Sequence, residues 1–486
     1  MTAARSGCGW RTRMPSYDAI VVGSGPNGLA AAITFARAGR SVLLIEARDS
    51  LGGGTRTAEL TLPGFRHDVC AAIHPLAPGS PFLSTLPLER FGVEWVQPDI
   101  PVAHPLDDGT AVGLYRTLEQ TASSIGIDGR NWVRLFGPLA ADWPKLAPVL
   151  LGPHPLTVHL GALVRFGLAG VWPAQLLSPL LFGEERARAL FAGLVAHSLL
   201  DFRQPFTSSF GLVLGILGHA VGWPFPRGGS QAIADAMGAY LRALGGDIVA
   251  GWPVRSLDEL PSSRTVLLDV APREVVRLAG TRLPPAYLRR LERFRYGPGV
   301  FKVDYALSEP VPWRAEICRD AGTVHLGGTL AEIAASEEAA CGGRIPERPY
   351  VLVAQHSRFD TTRAPAGKHT LWAYCHTPHG STVDMAPAIE AQIERFAPGF
   401  QDTVQARAAL NSADLERYNP NYVGGNISSG ANDFRQLWTR PMLRFPPYST
   451  PVRGLYLCSS STPPGAGVHG MCGYNAARAA LTQLQE

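Results

Sequence analysis

Gly23, Gly25 and Gly28 stand in the order G-x-G-x-x-G, within Gly23-Ser24-Gly25-Pro26-Asn27-Gly28. Glycines so spaced serve phosphate chemistry. The first permits a tight turn, the second lets backbone approach a pyrophosphate, and the third lets a helix pack closely on a strand. Glu46 offers a carboxylate that can accept hydrogen bonds from ribose hydroxyls. Lys302 and Asp304 are two apart, so in a strand they share one face, with Phe301 and Val303 on the other. That pair suits either water-holding chemistry or an ordinary surface ion pair. His469 and His74 are the candidate imidazoles, and each also fits a hydrogen-bonded structural role. Tyr422 and Tyr474 could pack on a ring or in the core. No His/Cys/Asp cluster has metal spacing, and no G-x-S-x-G elbow occurs.

The elements around the glycines decide what they mean. Ala19-Ile20-Val21-Val22 is an apolar run of the kind found in buried parallel strands. The glycines follow it directly. An Ala-rich helical pattern then runs to Ala38 and closes on Gly39. A second apolar strand, 41–45, ends in Glu46. The helix N-terminus faces the turn with free N–H groups, which favours an anion there. A dinucleotide site is the expectation.

After Glu46 come Ala47-Arg48, then Gly52-Gly53-Gly54-Thr55-Arg56. An acid closing the second strand, followed by Arg and a Gly-Gly pair ending in Thr-Arg, resembles the flavoprotein family of phytoene desaturases, amine oxidases and Rab GDP-dissociation inhibitors. By that resemblance residues 46–48 and 53–56 lie against FAD. At the far end, a short apolar strand (454–458) precedes Ser459-Ser460-Ser461, then Gly465-Ala466-Gly467-Val468-His469-Gly470 and a final helix. This is similar to the phytoene-desaturase C-terminal motif, whose last helix points its N-terminus at the flavin. It implies cofactor roles for Ser461, Gly467, Gly470 and Met471. A helix N-terminus there suits the negative charge of reduced flavin. Many relatives carry an acid just after the last strand, whereas this chain has three serines. That departure resembles desaturases more than amine oxidases.

Further matches lie between the ends. Pro226-Arg227-Gly228-Gly229-Ser230 and the segment 245–254 resemble the middle FAD segment, in which a strand near Val254 meets the adenine. Residues 296–304, 419–425 and 468–475 add to the likeness. Together they resemble the phytoene-dehydrogenase-like proteins related to pyridine nucleotide-disulfide oxidoreductase domain-containing protein 2. The 7 Cys stand singly, with no C-x-x-C, so thiol-disulfide chemistry is not expected.

Composition agrees with a large flavoprotein. The 486 residues are 46% hydrophobic. Net charge is +4, and only Lys145, Lys302 and Lys368 among the 44 Lys+Arg are lysine. No basic run is interleaved with aromatics, so no nucleic-acid partner is expected. A weakly basic surface does suit peripheral contact with an anionic membrane. Residues 1–16 lack the apolar core of a secretory signal. Residues 1–13 are expected to be a disordered extension, and the location to be cytoplasmic. Residues 150–225 read as apolar helices broken by prolines, and 204–226 carry no charge over 23 residues. A buried or tunnel-lining helix is expected there rather than a membrane span. Alternating strand patterns at 300–307, 350–355 and 370–374 suit a sheet forming a pocket wall, and 419–433 a loop near the site.

The expected fold is α/β: a Rossmann-type FAD-binding domain of the phytoene desaturase/amine oxidase type with an inserted α+β substrate domain. Residues 14–100, 226–280 and 440–486 would form the first, 101–225 and 281–439 the second. The expected function is FAD-dependent removal of hydride from a small apolar substrate, polyene or lipid-like. Lys302, His469 and His74 are the candidate catalytic residues. A flavin amine oxidase, a redox-neutral isomerase and a non-catalytic binding protein on the same fold are the alternatives. No feature sets the oligomeric state.

Overall fold

The computed structural model describes residues 16–153, 159–437 and 439–485, so the extension 1–13 lies outside the described residues. The chain opens with β1 (Tyr17–Val22), α1 (Pro26–Arg37) and β2 (Val42–Ile45). A short hairpin, Thr57–Glu59 against Arg66–Asp68, follows. The chain then enters a second sheet through β3 (Ile100–Pro105) and β4 (Ala111–Leu114). A helical layer comes next, containing α2 (Leu160–Gly170), α3 (Ala174–Leu181), α4 (Glu185–Ala196) and α5 (Thr207–Ala220). Helix α6 (Gln231–Ala243) leads back to the first sheet through β5 (Asp247–Val249) and β6 (Ser263–Leu268). The second sheet resumes with β7 (Gly299–Leu307), β8 (Ala321–Leu326), β9 (Val351–Ala354), β10 (His369–Thr377) and β11 (Val404–Leu410). Strand β12 (Leu455–Leu457) and helix α7 (Met471–Gln485) close the chain.

The first sheet runs β12-β6-β1-β2-β5, and all its pairs are parallel. β1 is central because it is apolar on both faces, a requirement for a strand covered by helices on either side. Ala19 lies beside Val42 and Val22 beside Ile45, so β1 and β2 end level and the glycine turn and Glu46 meet at one edge. Helices α1 and α7 pack in close contact. A Cβ on Gly473 would stand 1.7 Å from the Asn27 carbonyl oxygen, so only glycine permits that approach.

The second sheet runs β11-β7-β10-β9-β8-β3-β4. It is antiparallel except where β8 lies parallel to β3. β7 is buried on both faces. Phe301, Val303, Tyr305 and Leu307 enter a core with Trp313, Ile389 and Phe400, while Val300 and Lys302 face a cavity. The uncharged segment 204–226 forms α5, a 14-residue helix whose Leu212, Ile216 and Leu217 are buried. Among the described residues no single helix is long and apolar enough to cross a membrane.

Candidate active site

One cavity of about 890 Å³ runs between the two sheets. Residues 23–27, 46–48 and 53–56 line one end, as do Val254, Ser461 and Gly467. The turn is built as its spacing requires. Gly23 sits at φ +102°, and a Cβ on Gly28 would stand 2.0 Å from the Gly23 carbonyl oxygen. Gly28 itself is packed inside the turn and does not reach the cavity wall. Pro26 opens α1, where its missing N–H costs nothing. The Asn27 Oδ1 is buried with no hydrogen-bond partner, while its Nδ2 donates to Ser460. An orphaned polar atom at a helix N-terminus is a place where a phosphate group fits.

Glu46 is buried at the end of β2 and organises this end. Its carboxylate accepts from the Ser24 amide at 3.0 Å, the Ser24 hydroxyl at 2.5 Å and the Arg48 amide at 3.0 Å. Arg56 lies 3.1 Å away as its counter-ion and also donates to the Ser50 carbonyl. Arg48 reaches out to the Tyr418 carbonyl and stacks over that ring at 4.5 Å. Glu46 thus ties the glycine turn to the 46–56 loop. Val254 is on the cavity wall, but β5 ends at Val249, so the strand expected near Val254 is an extended loop beyond it.

Asp269 is a site residue that the sequence reading missed. It follows β6, directly beside the glycine turn, and its Oδ2 accepts from the Gly28 amide at 2.9 Å. Burial, reinforced by the nearby Glu46 carboxylate, pushes its carboxyl up to about 7, against the stabilising amides of Gly28 and Gly25. The available signal was an acid closing a third apolar strand, Thr265-Val266-Leu267-Leu268-Asp269.

Midway along the cavity stands Lys302. It is 2% exposed and ion-paired with Asp304, so the surface ion pair is corrected to a buried one. Strand register explains its company. Lys302 is opposite Tyr374 and Asp304 opposite Trp372 on β10, and the ammonium lies 5.8 Å over the Trp372 ring. Burial pushes the Asp304 carboxyl up to about 6 despite the ammonium beside it. His67 Nδ1 approaches Asp304 Oδ1 at 3.5 Å, and burial together with Lys302 pushes that imidazole down to about 3, so it is neutral.

Behind Trp372 lies a second charged group absent from the sequence reading. Arg363 is fully buried between Asp68 at 3.0 Å and Asp360 at 3.1 Å. Asp68 also accepts from Thr57 Oγ1 and the Ser230 amide, and its carbonyl accepts from the Trp372 indole at 2.9 Å. Burial pushes the Asp68 carboxyl up, but the Arg363 guanidinium overrides it and holds the group well below the usual carboxylate range.

The two candidate histidines are on the cavity wall; His469 is committed to the backbone around it, whereas His74 is held through Ser230 and keeps a buried Nδ1 with no hydrogen-bond partner. His469 Nδ1 accepts from the Met471 amide at 3.0 Å, and Nε2 faces the Gly465 carbonyl at 3.2 Å. It caps the first turn of α7, and burial pushes it down to about 4. His74 Nε2 meets Ser230 Oγ at 2.7 Å, whose hydroxyl donates to the Ala71 carbonyl. Burial keeps His74 neutral as well, near 4. Neither ring offers a free proton to the cavity as an acid at neutral pH. Gly470 and Met471 are corrections. Gly470 packs against Ala30 and Phe82, and Met471 enters the core, because His469 takes the capping position. Tyr474 stacks on Phe82 at 4.9 Å, away from the cavity, whereas Tyr422 lines it.

Beyond Lys302 the wall turns apolar. Leu163, Phe166, Phe206, Phe210, Val213 and Leu214 come from α2, α5 and the segment before α5. The loop 419–433 contributes Tyr422, Ile427 and Asn432. Among the described residues no group of three His, Cys, Asp or Glu is placed to hold a metal, and six cysteines are free.

Comparison with known proteins agrees with this layout. Residues 21–84 match the family model of an NAD(P)-binding Rossmann-like domain. The chain is 28% identical to pyridine nucleotide-disulfide oxidoreductase domain-containing protein 2 of Mus musculus, covering 99% of this chain and 96% of that one. It is 24% identical to the neurosporene-forming phytoene desaturase of Rhodobacter capsulatus, over 94% and 92%. A triple mutant of putrescine oxidase shares the fold at TM-score 0.63 and 17% identity, covering 97% of this chain and 99% of that one.

Proposed function

We propose that this chain, an oxidoreductase of the phytoene desaturase-like kind, binds FAD and removes hydride from an apolar substrate. The observation that carries this reading is one cavity with a dinucleotide cradle at one end, a buried Lys302 between, and an apolar tunnel at the other. Gly23, Gly25 and Asn27 would hold the pyrophosphate, Glu46 the ribose, and Ser461 and Gly467 the flavin end. FAD, when bound, supplies a two-electron acceptor.

The chain's own groups do the rest. Trp372 and Tyr374 form an aromatic corner beside Lys302, with ring centroids 5.2 Å apart and planes 72° apart. Lys302 has three N–H donors, and Asp304 uses one, leaving donors for a water or an oxygen at the cavity wall. The apolar wall beyond excludes bulk water and aligns a chain-like substrate. Desaturation takes a hydride and a proton from neighbouring carbons. FAD, when bound, would supply the hydride acceptor, and a water held at Lys302 would pass the proton to the Asp304 carboxylate beside it.

An amine oxidase is the second reading, because Trp372 and Tyr374 offer an aromatic face. The long apolar wall beyond Lys302 favours the first reading, since its described residues offer no carboxylate to hold a charged amine. The test is direct. Purified protein should be yellow and release FAD on denaturation. Anaerobic addition of polyene or terpene hydrocarbons should bleach the flavin, while primary amines should not. FMN, or no flavin after reconstitution, would sink the reading. Bleaching by amines alone would select the amine oxidase.

A further inference from the structure

Seven large apolar side chains are exposed along α2, which walls the apolar end of the cavity, the junction after it, and α3. On α2, Leu160, Val164 and Leu168 stand four residues apart and share one outward face, with Leu160 65% and Leu168 71% exposed. On α3, Leu176 and Leu180 do the same, with Leu180 72% exposed. Val171 and Trp172 are exposed at the junction. An apolar patch of this extent is costly in water unless something covers it.

The reverse side of α2 identifies the occupant. Leu163, Phe166, Gly167 and Gly170 of the same helix line the cavity. One helix therefore separates the apolar tunnel from the apolar outer face. Residues 160–182 contain one charged residue, Arg165, and no acid. Arg165 and Lys145 converge on the single carboxylate of Asp142, so the cluster beside α2 is net positive. The two helices meet at 99°, and at about 16 and 12 Å each is far shorter than a hydrocarbon core of about 30 Å. They are shaped to lie in an interface rather than to cross it. An exposed Trp at the bend matches the side chain favoured at headgroup depth.

We propose that the outward faces of α2 and α3 dock on an anionic lipid surface, and that the apolar substrate passes from that surface into the cavity beside α2. This rests on the proposed function for the identity of the cargo, but the docking itself does not require FAD. A second copy of the chain is the competing occupant. It would seal the face that lies against the tunnel, and it offers no reason for the cationic cluster beside α2.

The experiment uses the whole chain with FAD, floated with vesicles of equal parts phosphatidylcholine and phosphatidylglycerol. The wild type should float, and Leu160→Ser/Leu168→Ser/Leu180→Ser should bind roughly tenfold or more weakly with unchanged flavin content. Those three side chains make few internal contacts, so folding should survive. As a second measurement, brominated lipid should quench a tryptophan signal that Trp172→Phe lacks. Wild type that stays in solution with full flavin would overturn the docking surface, as would a triple variant that floats equally well. A dimer split by the triple variant, without vesicle binding, would assign the face to a second copy. Vesicle binding by a chain that holds no FAD would overturn the enzymatic reading and leave the docking surface standing.

Discussion

The Asp269 carboxylate accepts a hydrogen bond from the Gly28 amide at 2.9 Å, inside the first turn of α1. An acid therefore stands beside the position that the glycine turn offers to a phosphate. Two anions on one helix end oppose each other unless one carries a proton.

Burial has already moved Asp269 toward the protonated form, to about 7. Its folded value lies above its ordinary one, so folding takes up a proton. The stabilisation is complete below about pH 4 and is lost as pH rises through about 7. Asp269→Asn should remove that slope. Thermal melts of the apoprotein should show wild type losing stability relative to the variant between about pH 4 and 7. FAD binding should weaken with pH in wild type, approaching tenfold per unit above the folded value, and stay flatter in the variant. Parallel pH profiles would show that Asp269 does not titrate there.

Glu46→Ala should weaken FAD binding, since two charge-assisted bonds to ribose contribute on the order of 1.5–3 kcal/mol each at most. The structure adds a second consequence. The same carboxylate holds Ser24, Arg48 and the buried Arg56, so its loss leaves a cation without its partner. Apoprotein stability should fall by about 1–3 kcal/mol. Glu46→Gln, which keeps an acceptor oxygen, should recover part of it. Titration of apoprotein with FAD and a denaturant melt read the two effects separately.

These two acids also mark where sequence reading stops. Glu46 was legible because it is contiguous with the turn it serves. The βαβ pattern carries its own register. The strands near 300, 350 and 370 were legible from alternation, and β7 indeed divides Lys302 from Phe301. Asp269 was not, because a lone acid after a strand gains meaning only when β6 pairs beside β1. Arg363 and Asp68 are 295 residues apart, and nothing local couples them. Gly470 and Met471 were misplaced because a capping histidine looks the same in sequence as a ligand. An apolar helical stretch such as 160–181 reads alike whether it faces core, cavity or an interface.

Lys302→Met should lower the rate of flavin reduction by about tenfold to a thousandfold, the range for losing one electrostatic or proton-transfer partner. Flavin content should hold, because Asp304 can take up a proton once its ammonium is gone. Lys302→Met/Asp304→Asn should therefore fold as well and react as slowly. His469→Ala should behave differently. It removes a cap on α7, so stability should drop by about 1 kcal/mol with a smaller change in rate. Stopped-flow reduction of wild type and the three variants decides. Equal rates in wild type and Lys302→Met would make Lys302 structural.

Arg363→Met tests how far the buried charges support the site. Arg363 is fully enclosed, and its removal leaves Asp68 and Asp360 without their cation. Breaking such a group from one side costs about 3–5 kcal/mol. Asp68 also fixes Trp372 through its carbonyl, and Trp372 faces Lys302. The variant should therefore melt at a lower temperature and reduce flavin more slowly, with FAD affinity falling less than in Glu46→Ala because Asp68 meets the cradle only through Thr57, next to Arg56. Asp68→Asn/Arg363→Met removes one charge of each sign and should regain part of the stability. If the single variant is as stable as wild type, the Asp68–Arg363–Asp360 group contributes nothing net. Trp372 would then be held by the sheet alone.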